Sequence, residues 1–238
     1  MTDASTLSIK VFADGADIAG IRKLADDPLI AGITTNPTLM RKAGVEDYEA
    51  FATELLEVVP DRPISFEVFS DDFAEMERQA LKVSSWADNV FVKVPITNTE
   101  GASSLDLVRR LSHDGIKLNV TALMTGKQVE ASGAALEGGA PAYVSVFAGR
   151  IADAGIDPEP IMVAALDTLR PLPGVELIWA SPREVLNIAQ ADRIGCHIST
   201  VTHDLLAKLH LLGRDLDDFS LDTVRMFHRD ASAAGFTL

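Results

Sequence analysis

The chain has 238 residues, of which 47% are hydrophobic and 24% charged, which is enough for one sizeable core and the usual size of a single α/β barrel. The formal net charge of −14 predicts an acidic surface that repels nucleic acid and anionic membranes, so neither is expected as a partner. The single cysteine, Cys196, excludes an internal disulfide, and the polar start of the chain shows no signal pattern. We therefore expect a soluble protein of the reducing cytoplasm.

Runs of β-forming residues alternate with longer helical patterns along the chain. Strands are predicted over residues 8–16, 30–36, 63–69, 89–95, 116–123, 142–149, 175–181 and 194–200. The helical patterns that follow them cover residues 17–27, 45–59, 71–87, 101–115, 125–139, 157–172, 182–192 and 201–213. Eight such units predict a (β/α)₈ barrel, formed as one domain over residues 1–238.

A doubly wound open sheet is the competing architecture. It predicts a glycine-rich phosphate loop after the first strand, with the spacing GxGxxG or GxxxxGK[ST]. Residues 14–20, DGADIAG, have neither spacing. The barrel is therefore favoured.

An additional C-terminal helix is predicted at about residues 219–235. It follows a complete set of eight units, so the sheet does not need it for closure. Its apolar residues are Leu221, Val224, Met226 and Phe227, and Phe236 ends the pattern. A lone helix is marginal in water and must bury such residues on its own barrel or on a neighbour, and we expect a homo-oligomer.

Polar side chains occur near the C-terminal ends of seven predicted strands, where barrel enzymes carry their chemistry. In chain order they are Asp14; Thr34, Thr35 and Asn36; Glu67; Lys93; Asn119 and Thr121; Ser145, followed by Arg150; and Ser181, followed by Arg183. Each has an ordinary explanation when taken alone, as a turn, a helix cap or a surface charge. Their repetition at seven strand ends favours one shared site.

Lys93 lies within an apolar strand, NVFVKVPIT, residues 89–97. Such a lysine can extend to the surface from an exposed strand end. A low-dielectric barrel interior instead disfavours the ammonium form, and an unprotonated lysine attacks ketones and aldehydes to form a Schiff base. Carboxylates such as Asp14 and Glu67 are suitable proton-transfer groups, and Arg150 and Arg183 could bind a phosphate.

Several blocks together resemble the transaldolase family, in the order of that family. They are FADGAD (12–17), GITTNPTLM (32–40), FVKVPIT (91–97) followed by EG, GIKLNVTAL (115–123), YVSVFAGRI (143–151) and WASPRE (179–184). The resemblance runs from about Val11 to the final helix, and the length is similar to the short branch that includes fructose-6-phosphate aldolases.

The resemblance implies a role for each matching residue. Lys93 would be the Schiff-base lysine, Asp14 the acid/base at the cleaved bond, and Glu67 with Thr121 the holders of a catalytic water. The substrate contacts that it implies are Thr34, Asn36, Asn119, Ser145 and Phe147, with Arg150, Ser181 and Arg183 at the phosphate end. It implies transfer of a dihydroxyacetone unit between sugar phosphates in the pentose phosphate pathway, with neither cofactor nor metal.

Two positions bear on the choice between transferase and simple aldolase. The family's aldolases have glutamine where this chain has Glu67 and tyrosine where it has Phe147, so both positions resemble a transaldolase. Val146 and Pro182 depart from the family's usual proline and aromatic residue, respectively, near the acceptor and phosphate end. An aldolase, or a transaldolase for an unusual sugar, is the alternative, and a non-catalytic barrel would be expected to lack Lys93 or its carboxylates.

Overall fold

The structure is a computed structural model that describes residues 6–235. Eight parallel strands form a closed barrel in chain order: β1 Lys10–Asp14, β2 Ile30–Thr34, β3 Ile64–Glu67, β4 Val90–Pro95, β5 Leu118–Leu123, β6 Ala142–Val146, β7 Val175–Trp179 and β8 Ile198–Thr202. The ring closes by pairing β1 with β8, with Asp14 opposite Thr202. The predicted (β/α)₈ barrel is confirmed.

Helices follow every strand. They are α1 Ile18–Ala25, α2 Pro37–Lys42, α3 Tyr48–Val58, α4 Phe73–Ser84, α5 Leu105–His113, α6 Gly126–Leu136, α7 Ala148–Asp153, α8 Glu159–Leu169, α9 Val185–Arg193, α10 His203–Leu206 and α11 Leu216–Ala234, with a 3₁₀ helix at Leu209–Leu211. The short helices α2 and α7 were not predicted. In α2, the side chain of Asn36 accepts from the backbone N–H of Leu39 and Pro37 occupies the first turn, which together start a helix directly after the strand.

The eighth strand lies later in the chain than the pattern predicted. The prediction ended it at Thr200 and assigned Val201 and Thr202 to a helix, whereas β8 continues through Thr202. A turn at Gly195, with a φ of 75°, precedes the strand. The strand is Ile198–Thr202, in which every residue except Ser199 is β-branched, and its C-terminal end brings further polar groups to the mouth of the barrel.

Two apolar clusters form the core. The larger one lies between the sheet and the surrounding helices. The smaller one fills the barrel interior and comprises Phe12, Phe91, Tyr143, Ile178, Ala180 and Ile198. Phe91 stacks on Tyr143 with ring centroids 4.1 Å apart, and Phe12 meets Tyr143 edge-on. Because strand side chains alternate in direction, the residues two positions after Phe12 and Phe91 also face inward, one layer nearer the mouth.

Helix α11 has no buried residue along its whole length of 19 residues. Leu216 is 78% exposed and Phe227 63% exposed, so the described part of the chain leaves these apolar side chains largely uncovered. Asp215 caps the start, and Gly235, in the left-handed conformation, ends the helix. Phe236 lies outside the described residues. Within residues 6–235, no helix is both long and apolar enough to cross a membrane.

Candidate active site

A cavity of about 1050 Å³ opens at the C-terminal ends of the strands. Its wall contains these residues predicted from the sequence: Asp14, Thr34, Asn36, Glu67, Lys93, Asn119, Thr121, Ser145, Phe147, Arg150, Ser181 and Arg183. Thr35, which the strand-end pattern also included, is fully buried and does not line the cavity. The barrel thus brings together residues that are widely separated in the sequence. Their individual roles remain proposals.

Lys93 is buried, with 6% of its surface exposed. Its Nζ donates to the backbone carbonyl of Thr35 at 2.8 Å and lies 3.1 Å from Oε2 of Glu67. Parallel pairing of β3 with β4 sets Glu67 directly beside Lys93. The sequence argument considered only the loss of water around the amine, whereas the structure supplies two acceptors. A carboxylate therefore lies within reach to take the proton that the amine must lose.

Asp14 is held by donors at the C-terminal end of the neighbouring strand β2. Oγ1 of Thr34 donates to Oδ1 of Asp14 at 2.9 Å, and Nδ2 of Asn36 lies 3.3 Å from both carboxylate oxygens. Thr34 in turn shares a 2.5 Å hydrogen bond with Thr200 on β8. Burial raises the pKa of Asp14 above its ordinary value, and it outweighs the charge of Lys93 and these hydrogen bonds, which act to lower it. Asp14 therefore retains a proton at a higher pH than an ordinary aspartate does.

Asn119 occupies the barrel interior beside Lys93 and is fully buried. Its Nδ2 donates to Oγ of Ser65 at 3.0 Å, and its Oδ1 accepts from Oγ of Ser145 at 2.7 Å. These two bonds fix the orientation of the amide. By contrast, Oγ1 of Thr121 is buried and has no hydrogen-bond partner in the described part of the chain. A buried hydroxyl of this kind is suited to bind a water molecule or a substrate group.

Two residues of the cavity wall have a backbone conformation that is unusual for residues other than glycine. Ala122 has a φ of 66° and Ser181 a φ of 62°. The pairing of β5 with β6 is interrupted between Val120 and Leu123, around Ala122. Such conformations persist only where the surroundings enforce them, and they cluster at functional sites.

The predicted anion-binding end contains Arg150 and Arg183. The guanidinium of Arg150 lies over the ring of Phe147, 5.2 Å from its centroid. Nε of Arg183 donates to Oδ1 of Asp153 at 3.0 Å, and a terminal nitrogen of Arg183 bonds to the other carboxylate oxygen. The sequence did not point to Asp153 as a partner of this arginine.

Gly149 allows these two arginine-bearing segments to approach each other. A Cβ atom at this position would lie 1.5 Å from the carbonyl oxygen of Ser181, so any other residue requires the backbone to move. The close approach sets the start of α7 against the loop after β7. Arg150 and Arg183 thereby reach the same wall of the cavity.

The sequence analysis missed the polar residues of the eighth strand end. Thr200, Thr202 and His203 line the cavity, and the alternation of inward positions from Ile198 would have identified the two threonines had the strand been ended correctly. His203 was not among the predicted site residues. Its Nε2 is buried and has no hydrogen-bond partner in residues 6–235. The imidazole packs against the backbone of Gly15, where an added Cβ would lie 2.8 Å from this nitrogen. Over the same residues, no group of three or more His, Cys, Asp or Glu side chains is arranged to hold a metal.

Comparison with known proteins identifies the family. The profile described as Transaldolase/Fructose-6-phosphate aldolase matches residues 11–238. The chain belongs to the transaldolase/fructose-6-phosphate aldolase family. The resemblance seen in the sequence blocks is thereby confirmed, and the transaldolase/fructose-6-phosphate aldolase profile extends through helix α11.

Several relatives within the transaldolase/fructose-6-phosphate aldolase family cover most of the chain. A protein named "Probable transaldolase" from Dehalococcoides mccartyi is 34% identical over 203 residues, which is 84% of this chain and 90% of the relative. One of the same name from Streptococcus equi subsp. zooepidemicus is 36% identical over 203 residues, with the same coverage. Another from Streptococcus pyogenes is 34% identical over 206 residues, again covering 84% and 90%.

Proposed function

We propose that the protein is a transaldolase. It transfers a dihydroxyacetone unit from a ketose phosphate, of the fructose 6-phosphate or sedoheptulose 7-phosphate type, to an aldose phosphate, with no cofactor. The observation that carries the proposal is the buried amine of Lys93, 3.1 Å from the carboxylate of Glu67 and in one cavity with Asp14. Family membership and the names of the relatives support the same reaction.

The first step forms the Schiff base. Lys93 gives a proton to Glu67 and its free amine attacks the ketone carbon of the donor, which forms a carbinolamine. Loss of the hydroxyl as water leaves an iminium on Lys93. We assign the proton transfers of this dehydration to Glu67, 3.1 Å from Lys93, and to a water bound by the unpartnered hydroxyl of Thr121.

The second step breaks and remakes a carbon–carbon bond. Asp14 removes the proton from the donor's C4 hydroxyl, the C3–C4 bond breaks, and its electron pair moves into the iminium to give an enamine. The aldehyde product leaves. The enamine carbon then attacks the acceptor aldehyde, and Asp14 returns its proton to the new hydroxyl. The raised pKa of Asp14 suits a carboxyl that must hold this proton between the two half-reactions.

The remaining wall residues have the right chemistry to bind the sugar phosphate. We assign contacts with the hydroxyl groups to Asn36, Asn119 and Ser145, because their hydrogen bonds already fix how they face the cavity. Thr34 supports Asp14 from the same wall. We assign the phosphate to Arg150 and Arg183, with Ser181 beside them, because two guanidinium groups line one end of the cavity in an otherwise acidic protein.

Phe147 favours a transferase over a simple aldolase. It lines the same cavity as Lys93 and has no hydroxyl with which to help water protonate the enamine. An enamine that is not readily protonated persists until an aldehyde acceptor arrives. The alternative is a fructose-6-phosphate-aldolase-like enzyme, which would release its product without an acceptor.

Borohydride trapping combined with a donor screen tests the proposal. With fructose 6-phosphate, reduction should attach one three-carbon fragment to the peptide that contains Lys93, and Lys93→Ala should abolish both trapping and turnover. Trapping on another lysine would overturn the assignment. Turnover that requires erythrose 4-phosphate indicates a transferase, whereas equal release of glyceraldehyde 3-phosphate without an acceptor indicates an aldolase.

We further propose that the enzyme acts in the pentose phosphate pathway, in the cytoplasm, as a homo-oligomer. The exposed apolar side chains of α11 support the oligomer, because a helix of this composition is stabilised mainly by packing. The acidic composition makes nucleic acid and membranes poor partners.

A further inference from the structure

The guanidinium of Arg183 has one edge already occupied. Asp153 accepts from Nε at 3.0 Å and from one terminal nitrogen, so the carboxylate binds the guanidinium side-on. An arginine side chain has five N–H donors in a rigid plane. Two are used here, and the other three, which include the pair on the adjacent terminal edge, are left for a second anion.

The local backbone holds both partners in place. Asp153 ends α7, whose start is fixed by the close approach of Gly149 to the carbonyl of Ser181. The backbone N–H of Arg183 donates to Oδ1 of Asn187 at 2.8 Å, which anchors the loop after β7. The pair therefore connects two successive strand–helix units across the wall of the cavity.

An exposed ion pair would by itself say little about function, since such pairs contribute little to stability. Arg170 and Asp167 form one at 2.7 Å, and neither residue lines the cavity. Arg183 differs because it is part of the cavity wall, together with Arg150. An Asp153 carboxylate beside these arginines could either hold Arg183 in position or compete with the substrate's phosphate, and the two effects have opposite signs.

We propose that Asp153 is a positioning residue that sets the preference for phosphorylated substrates by holding Arg183 side-on, with its terminal edge free for the phosphate. The proposal rests on the proposed function of the site. Side-on and end-on contacts use different N–H groups, so one guanidinium can bind both anions at once. Fixing the side chain beforehand also removes part of the entropy cost of binding.

Asp153→Asn tests the proposal, with Asp167→Asn as the matched control of an exposed Asp–Arg pair outside the cavity. Asp153→Asn should raise KM for fructose 6-phosphate, and the dissociation constant of inorganic phosphate measured by calorimetry, by about two- to fivefold. It should leave kcat with fructose 6-phosphate, and kcat/KM with unphosphorylated fructose, unchanged. Asp153→Glu should recover part of the loss, and Asp167→Asn should match the unchanged protein.

Unchanged or tighter phosphate binding in Asp153→Asn would overturn the proposal, because the carboxylate would then be irrelevant or a competitor. An equal loss for both fructose donors would overturn it as well, since it would indicate general damage to the site. Calorimetry with inorganic phosphate needs no turnover. If no ketose is trapped on Lys93, the proposed function fails, while the binding comparison still decides the role of Asp153.

Discussion

Replacing Lys93 with methionine should destabilise the protein as well as inactivate it. Methionine retains most of the apolar stem, so the main change is the loss of the ammonium from its contacts with Glu67 and with the carbonyl of Thr35. Removing one partner of a buried ion pair costs about 3–5 kcal/mol, because the other charge is left buried and unpaired. The Glu67 side chain is 19% exposed towards the cavity, so we expect the lower end, about 3 kcal/mol.

A double-variant cycle isolates the pair from the packing change. The double variant Lys93→Met/Glu67→Gln should lie within about 1 kcal/mol of the unchanged protein, because neither charge is left unpaired. For a domain of this size a loss of 3 kcal/mol lowers Tm by roughly 6–12 °C. Urea unfolding, followed by the fluorescence of Trp86 and Trp179 at one protein concentration, measures the stabilities of the four proteins in the cycle. These are the unchanged protein, Lys93→Met, Glu67→Gln and the double variant. Two results would refute this reasoning: a Lys93→Met variant as stable as the unchanged protein, or a double variant no more stable than Lys93→Met.

Three further changes probe the proton-transfer group, the anion-binding end and the C-terminal helix. Asp14→Asn should lower kcat by ~10²–10⁴ while borohydride trapping survives, and full turnover would contradict the role of Asp14. Because the pKa of Asp14 is raised, the folded chain holds its proton more tightly than the unfolded chain. The free energy of unfolding therefore falls as the pH rises from the ordinary value of 3.8 through the raised value, and Asp14→Asn should lack this contribution in pH-dependent urea melts. Gly149→Ala should lower the free energy of unfolding by about 1–3 kcal/mol and raise KM for fructose 6-phosphate, because the alanine Cβ would clash with the carbonyl of Ser181. An unchanged melting temperature and an unchanged KM would show that the loop moves aside at little cost. Deleting residues 216–238 should reduce the assembly mass seen by light scattering, and an unchanged mass would exclude α11 from the interface.

The placement of Lys93 could be predicted from sequence because it depends on a local rule. Alternation along a strand puts Phe91 and Lys93 on the same side, and an apolar run on both faces indicates a strand buried in a barrel. The partner of the lysine could not be derived in the same way. That Glu67 lies directly beside Lys93 depends on the register of two strands, which the barrel as a whole determines.

Other features depended on contacts between segments distant in the sequence. The eighth strand was ended too early because Val201 and Thr202 fit a helical start as well as a strand, and only pairing with β1 separates the two. The pair of Arg183 with Asp153 depends on how closely α7 approaches the loop after β7. Composition showed that α11 needs a partner, but the absence of any buried residue along it in the described structure is a tertiary property.

The hydrogen bond between Thr34 and Thr200 joins residues 166 positions apart and supports Asp14 from both sides of the seam that closes the ring. A growing chain that already contains Lys93, Glu67 and Asn119 still lacks β8 and with it Thr200, so the support of its proton-transfer group is incomplete. Ring closure is thus a precondition for turnover, because Asp14 gains this support only when β8 pairs with β1. During refolding, turnover should therefore not recover before the last strand docks on the first.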